Sequence, residues 1–324
     1  MNRDTLAIVI PVFNDWASLQ HVVGDLAAAL AGSDINTHLV IVDDGSTEID
    51  HRLADVLATT PFTASILTLA RNVGHQSAIA FGLCHAVTAL SCDIIAIMDA
   101  DGEDRPADLP SLLAVYRANR HAIIVADRRK RSEGTGFVLF YHLYKRMFAL
   151  LTGTPISFGN FSVMGVAIAR RLINMHELLL HIAATMIRSR YPIIKVATDR
   201  GDRYADRSKM SFISLVIHGL SSIAVFSERT FTRILVLSST LFLAIGGAAT
   251  LAILLKLAGM ATPGWVTSVI GLLLMVLMQN VAVALGGLVV VLNNKRDFTI
   301  LPWKIAPTFI AGITHFPSTA TPAP

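Results

Sequence analysis

Five short apolar runs, Leu6–Val12, Leu39–Val42, Ser65–Leu69, Ile94–Met98 and Ile123–Ala126, each end at a polar or glycine-bearing turn. Continuous, largely β-branched runs of this length fit strands buried on both faces. Between them apolar residues recur at helical spacing: Leu19, Val22, Val23, Leu26 and Leu30, then Leu53, Val56 and Leu57, then Ile79, Leu83, Ala86, Val87 and Leu90. Strand and helix in alternation predict an α/β fold with a doubly wound, mostly parallel sheet. Ligands of such sheets bind beyond the carboxyl ends of the strands, so the polar residues that close the runs are the place to look.

After Ala126 the alternation stops. In 137–151 the polar His142, Lys145 and Arg146 fall on one stripe, with Phe137, Leu139, Phe140, Leu143, Phe148 and Leu151 around the rest. In 211–227, Ser211, Ser214, His218, Ser221 and Ser222 make a second polar stripe. Both segments are candidate helices lying in a membrane interface, and both patterns also suit helices that complete a soluble core.

Ile234–Leu255 and Trp265–Leu292 carry no charge and are each long enough to span a bilayer, which takes about 20 apolar residues. Arg203, Arg207, Lys209, Arg229 and Arg233 precede the first span and Lys295, Arg296 and Lys304 follow the second, against Lys256 alone in the turn. The positive-inside rule puts both flanks in the cytoplasm. Gln279 and Asn280 lie within the second span, where hydrogen bonds across helices would satisfy them. Small residues four apart, Gly246/Thr250 and Ala282/Gly286, allow close helix contact and self-association into a homo-oligomer. Thr308–Pro324, rich in Pro, Thr and Ala, reads as a mobile tail. The expected layout is a catalytic domain at 1–210, an interfacial helix and linker at 211–232, two membrane helices within 233–292, and a cytoplasmic tail at 293–324.

Composition agrees with this division, since 53% of residues are hydrophobic and 15% charged, below the usual quarter for soluble domains. A net charge of +4 without basic residues interleaved with aromatics argues against nucleic acid as a partner. Cys84 and Cys92 form no CxxC pair and read as reduced thiols. The apolar run at the N-terminus is too short for a signal peptide.

Asp99 and Asp101 follow the fourth run two residues apart, so in extended backbone both carboxylates project to one side. Such a pair can share Mg²⁺ or Mn²⁺, hard cations that keep positions open for water and phosphate, and Glu103 is close enough in sequence to join. A solvated acidic turn would read the same way. The second acidic pair, Asp43 and Asp44, ends another run ahead of Gly45, where a carboxylate can accept ribose hydroxyls or base N–H groups. Neither GxGxxG nor GxxxxGK[ST] occurs, so a nucleotide would be held by carboxylates and metal.

In order and spacing, Ile10-Pro11-Val12-Phe13-Asn14-Asp15, Val42-Asp43-Asp44-Gly45-Ser46-Thr47, Arg71-Asn72-Val73-Gly74-His75-Gln76 and Asp99-Ala100-Asp101-Gly102-Glu103-Asp104-Arg105-Pro106 resemble the family 2 glycosyltransferases of GT-A fold. Within that family they are similar to the polyprenyl-phosphate glycosyltransferases, of the dolichyl-phosphate mannose synthase kind. Arg128, and Asp202-Arg203 ahead of Ser208-Lys209-Met210, extend the resemblance over about the first 210 residues. It implies a UDP- or GDP-sugar donor, a polyprenyl phosphate acceptor such as undecaprenyl or dolichyl phosphate, and inverting transfer at the cytoplasmic face of the cell membrane. Pro11, Phe13, Asp15 and Asp43 would line the pocket for base and ribose, with Asp44, Arg71, Asn72 and Gly74 beside them. Asp99, Asp101 and Glu103 would hold metal and diphosphate, and Arg128, Arg131, Arg203, Ser208 and Lys209 would meet the phosphates of donor or acceptor. Asp99, Asp101 and Arg128 are the expected catalytic residues.

The sequence departs from the family pattern at Glu103, where many relatives have Gln, at Asn160-Phe161-Ser162 for Asp-Phe-Arg, and at Asp206-Arg207 for Gly-Glu. A lipid phosphate is already ionised at neutral pH, so no general base is demanded, and His75 is expected to pack or position a loop. Two readings compete: a family 2 transferase acting on another lipid or glycan, and a non-catalytic membrane subunit that binds nucleotide sugar or lipid.

Overall fold

A computed structural model of the chain describes residues 3–48, 52–128, 146, 148–154, 158–204, 212–296 and 300–317. Two compact units divide it, one formed by 1–137, 156–225 and 300–324, the other by 138–155 and 226–299.

The first unit is built on one sheet. Its strands are β1 (Asp4–Val12), β2 (Ile35–Asp43), β3 (Thr63–Leu69), β4 (Ile94–Ile97), β5 (Ile123–Arg128), β6 (Ser162–Gly165), β7 (Ile193–Thr198) and β8 (Ile310–Phe316), in the spatial order β7-β5-β6-β4-β1-β2-β3-β8. β1 pairs in parallel with both β2 and β4, β2 with β3, and β5 with β7, whereas β6 and β8 run antiparallel to their neighbours. The helices are α1 (Trp16–Ala29), α2 (Arg52–Ala58), α3 (His75–Ala89), α4 (Leu109–Ala118), α5 (Val166–Leu172), α6 (Ile182–Arg188) and α7 (Phe212–Ala224).

Alternation along β1 explains the two layers. Leu6, Ile8, Ile10 and Val12 face one core with Leu19, Val22 and Leu26 of α1 and Leu112 of α4, while Ala7 and Val9 face the other with Ile79 and Leu83 of α3. A strand buried on both sides needs apolar residues throughout, which is why the run showed no polar alternation. Gly82 lets α3 sit close to the sheet, because a Cβ there would lie 2.6 Å from Val42 Cγ2 and Val9 Cγ1.

Residues 308–317 differ from the expected mobile tail, which was to begin at Thr308. A short helix at Pro302–Phe309 carries Ile305, Ala306 and Phe309 into the core beside α3, and β8 then pairs with β3 from Ala64↔Phe316 to Leu69↔Ile310. A partly buried chain of polar contacts crosses these strands: His38 meets Thr63 Oγ1 at 2.6 Å and Ser65 Oγ at 2.8 Å, and Ser65 Oγ meets His315 Nδ1 at 3.0 Å. The part of the expected tail beyond Pro317 lies outside the described residues.

α7 falls on the second stretch read as interfacial. His218 and Ser222 on its polar stripe turn toward protein, the His218 ring lying tilted against His181 with centroids 4.5 Å apart, while Ile217 and Leu220 are exposed. The stretch 137–151 lies mostly outside the described residues.

The second unit contains α8 (Ser227–Leu257) and α9 (Trp265–Arg296), numbered here in chain order ahead of α10, the Pro302–Phe309 helix. Both are long and apolar enough to cross a membrane, and their apolar windows are 11% and 0% buried, which sets them apart from core helices. Asn280 Nδ2 donates to the Ser238 carbonyl at 2.9 Å, so this polar residue of the second span is satisfied across the pair. Gly287 admits Phe231, whose Cδ1 would lie 3.1 Å from a Cβ there.

Candidate functional site

The carboxyl ends of β1 to β4 open into four loops. At the end of β1 Pro11 is buried, and just after it Phe13 is 43% exposed and Asn14 adopts φ +48. That strained conformation is held by the loop after β2: Asn14 N–H donates to Ser46 Oγ at 3.0 Å, and Asn14 Oδ1 accepts from Thr47 N–H at 2.9 Å. Asp15 precedes α1, and its side chain makes no capping bond.

The acidic pair after β2 divides its duties. Asp43 accepts Ser46 N–H on Oδ1 at 2.9 Å, shaping its own loop. Asp44, 3% exposed, accepts Val73 N–H at 2.7 Å on one oxygen and Gly74 N–H at 3.0 Å on the other. Burial raises the Asp44 carboxyl above its ordinary range, and the two N–H groups oppose that rise. Expected as a donor contact, Asp44 thus fixes the loop of Arg71, Asn72 and Gly74 that leads into α3. Gly45 completes the clamp, since a Cβ there would fall 2.6 Å from Asn72 N. Arg71 and Asn72 are exposed.

After β4 the backbone curls so that Asp99 N–H donates to Asp104 Oδ2 at 2.9 Å and Glu103 N–H to Asp101 Oδ1 at 3.0 Å. Segment 199–204 lies directly on this curl. Gly201 N–H bonds the Glu103 carbonyl at 3.1 Å and Tyr204 N–H the Asp101 carbonyl at 3.2 Å. Tyr204 bonds Asp25 and stacks on His21 of α1 at 5.1 Å. Gly201 allows the approach, because a Cβ there would stand 2.1 Å from the Gly102 carbonyl oxygen.

Arg203 joins the acidic loop from this segment: Nη2 is 3.2 Å from Asp101 Oδ2 and Nε is 2.5 Å from Glu103 Oε1. Arg200 bonds the same Glu103 oxygen. Burial pushes the Glu103 carboxyl up, but Arg200 and then Arg203 outweigh it and leave Glu103 below the usual range. The buried carboxylate of Glu103, expected as a third metal ligand, meets two guanidinium groups here. Among the described residues no set of three His, Cys, Asp or Glu is grouped to hold an ion. Asp99 and Asp101 remain as a two-carboxylate set. Burial, and then Asp99, raise the Asp101 carboxyl above its ordinary value.

His75 opens α3 with Nε2 3.1 Å from Asp99 Oδ1. Desolvation pulls this imidazole down, but the charge and hydrogen bond of Asp99, then Asp101 and Asp104, hold it above its ordinary value. Asn160 lies 3.1 Å from the same nitrogen and is oriented by Gln76, whose Nε2 donates to Asn160 Oδ1 at 3.3 Å while its Oε1 accepts Ile182 N–H at 2.7 Å. His75, Asn160, Arg200 and Tyr204 were not among the expected site residues, although the sequence marked His75 within the 71–76 motif, Asn160 as a departure from the family pattern, and Arg200 three positions before Arg203. Arg128 ends β5 opposite Thr198 of β7, the residue before the 199–204 segment. Its side chain, and Arg131, Ser208 and Lys209 entirely, lie outside the described residues. Cys84 and Cys92 are free and buried, with thiols pushed up to about 12 and about 11, so neither is a nucleophile.

The model of "Glycosyl transferase family 2" matches residues 7–173, just over half of the chain. The chain belongs to glycosyl transferase family 2. The matched stretch contains the three loops around Asp43, Arg71 and Asp99, while segment 199–204 and both long helices follow it. Among curated relatives, the undecaprenyl-phosphate 4-deoxy-4-formamido-L-arabinose transferase of Shewanella sediminis is 33% identical over 114 residues, 35% of this chain and 33% of that protein. The dodecaprenyl-phosphate galacturonate synthase of Rhizobium johnstonii is 31% identical over 132 residues, 40% of this chain and 37% of that protein. The chain thus spans little more than a third of the length of these two relatives. Among solved structures, glucosyl-3-phosphoglycerate synthase from Mycobacterium tuberculosis, in complex with Mn²⁺, UDP-glucose and phosphoglyceric acid, superposes with a TM-score of 0.50 at 16% identity, over 70% of this chain and 80% of that one. That likeness establishes the GT-A fold.

Proposed function

We propose that this chain transfers a sugar from a UDP- or GDP-sugar to a polyprenyl phosphate at the cytoplasmic face of a membrane. The observation that carries the reading is the Asp99–Asp101 pair at the end of β4, facing Arg203, in a chain that also bears two exposed helices of membrane length. The names of the relatives, two of which act on undecaprenyl or dodecaprenyl phosphate, support the acceptor.

Asp99 and Asp101 fit Mg²⁺ or Mn²⁺: both offer hard oxygens, and the raised Asp101 carboxyl marks a place where added positive charge is favourable. When bound, the cation would stabilise the diphosphate as it leaves. The protein's own residues do the rest. Asp43 and the exposed Phe13 would meet ribose and base, with the clamped 71–74 loop contributing beside them. His75 sets a cationic partner beside the Asp99 carboxylate. Arg203 supplies a planar cation beside the pair, suited to a phosphate oxygen. An oxygen of the lipid phosphate attacks the anomeric carbon, forming the new C–O bond as the bond to the nucleoside diphosphate breaks on the opposite face. The nucleophile is already anionic, so no proton need be removed from it.

Purified protein in lipid, given a panel of nucleotide sugars, should release UDP or GDP only when polyprenyl phosphate is present, with a glycosylated lipid phosphate seen by mass spectrometry. Release dependent on diacylglycerol or a glycan instead would favour a different acceptor, and no release with any donor would favour a non-catalytic subunit.

A further inference from the structure

The Arg71–Gly74 loop is held from two directions. Asp44 and Gly45 grip it from β2, as described above. The second grip comes from the far end of the chain, beyond both long helices. Ala70 N–H donates to the Phe309 carbonyl at 2.8 Å, and the β3–β8 ladder carries an irregularity between Thr68 and Leu69, just before the loop. The Phe309 ring stacks on Phe81 of α3 at 5.1 Å, and the Arg71 guanidinium sits over the same ring at 5.4 Å. Phe309 therefore has both a buried aromatic partner, Phe81, and an exposed cation, Arg71, against its ring. The Arg71 Nη1 contact to the Asn72 carbonyl, at 3.4 Å, is long, which leaves the ring as the firmer constraint on this side chain.

We infer that Phe309 is a positioning residue for nucleotide binding, acting by holding Arg71 at the donor site, so that the segment after the second span is part of the machinery that takes up the donor. The inference rests on the donor reading given above. A freely rotating arginine loses rotamer entropy when it meets an anionic ligand, and a ring that already holds its guanidinium lowers that cost.

The test uses the full chain in lipid nanodiscs, titrated with UDP and with GDP. Phe309→Leu keeps an apolar side chain against Phe81 but removes the aromatic face, and should weaken binding of the preferred nucleotide roughly two- to fivefold. Donor KM should rise by the same factor, with kcat and the KM for polyprenyl phosphate unchanged. Phe309→Trp, which keeps a ring, should restore binding. Arg71→Gln should weaken binding at least as much, and the Arg71→Gln/Phe309→Leu double variant should bind no worse than Arg71→Gln alone. Wild-type binding with an unaffected Phe309→Leu, or effects that add in the double variant, would overturn the role of Phe309 and leave the donor reading standing. A wild-type chain that binds neither nucleotide would overturn the donor reading, and the role of Phe309 with it.

Discussion

Asp101 is kept in an environment that opposes its charge, with burial and Asp99 both raising its carboxyl and Arg203 and the Glu103 amide only partly offsetting them. A residue held against its own stability is a functional candidate. Asp101→Asn should lower transfer by about a hundredfold or more, while the melting temperature stays level or rises; turnover and thermal unfolding on one preparation check both. Glu103 presents the opposite case. Its carboxylate neutralises Arg200 and Arg203, so Glu103→Ala should destabilise the first unit by about 3–5 kcal/mol, seen as a lower denaturant midpoint. His181 gives a pH prediction. Its Nδ1 accepts Ala184 N–H at the start of α6, and burial, then His218, push the imidazole down to about 3 from 6.5. Because the folded value lies below the unfolded one, the associated stability is complete above pH 6.5 and is lost as pH falls from there toward about 3. His181→Asn keeps a capping acceptor without the titration, and should flatten the acid limb in urea unfolding measured between about pH 4 and 7.

At the scale of elements, the first five strands were legible because each contains a short, largely apolar run; four lie within two residues of the expected bounds, and β2 opens four residues earlier. β6 was missed because four residues, opening on Ser162 and closing on Gly165, give no period to read. β7 includes Lys195 in its middle, and β8 follows Pro302 and Pro307 in a stretch whose composition mimics a linker. The acidic loops were readable for the same reason as the strands, since each is local in sequence. The partners of Glu103 were not, because Arg200 and Arg203 reach it from almost 100 residues away through the 199–204 segment. β8 is also where an element-scale prediction applies. Ser65 is fully buried between His38 and His315, so Ser65→Val would leave both rings without that hydroxyl and should cost about 1–3 kcal/mol, measured by chemical denaturation.

At the scale of the whole molecule, the excess of Lys and Arg flanking the hairpin over the single Lys256 in its turn predicts that protease outside sealed cells leaves the first unit intact. The sheet gives an independent argument. β1 to β7 precede the two long helices and β8 follows them, yet all eight strands share one sheet, so the flanks of the hairpin must lie on the same side of any membrane it crosses. Loss of the first unit to external protease would contradict the charge argument, whereas the sheet requires only that the two flanks share a side. The same connectivity bears on biosynthesis. While the two long helices emerge from the ribosome, β3 has no outer neighbour and the Phe81 side of α3 has no cover, because the residues that supply them have not been made. Completion of the sheet therefore waits on synthesis of the hairpin, and a chain interrupted within it would present an open β edge, a state prone to aggregation and to proteolysis.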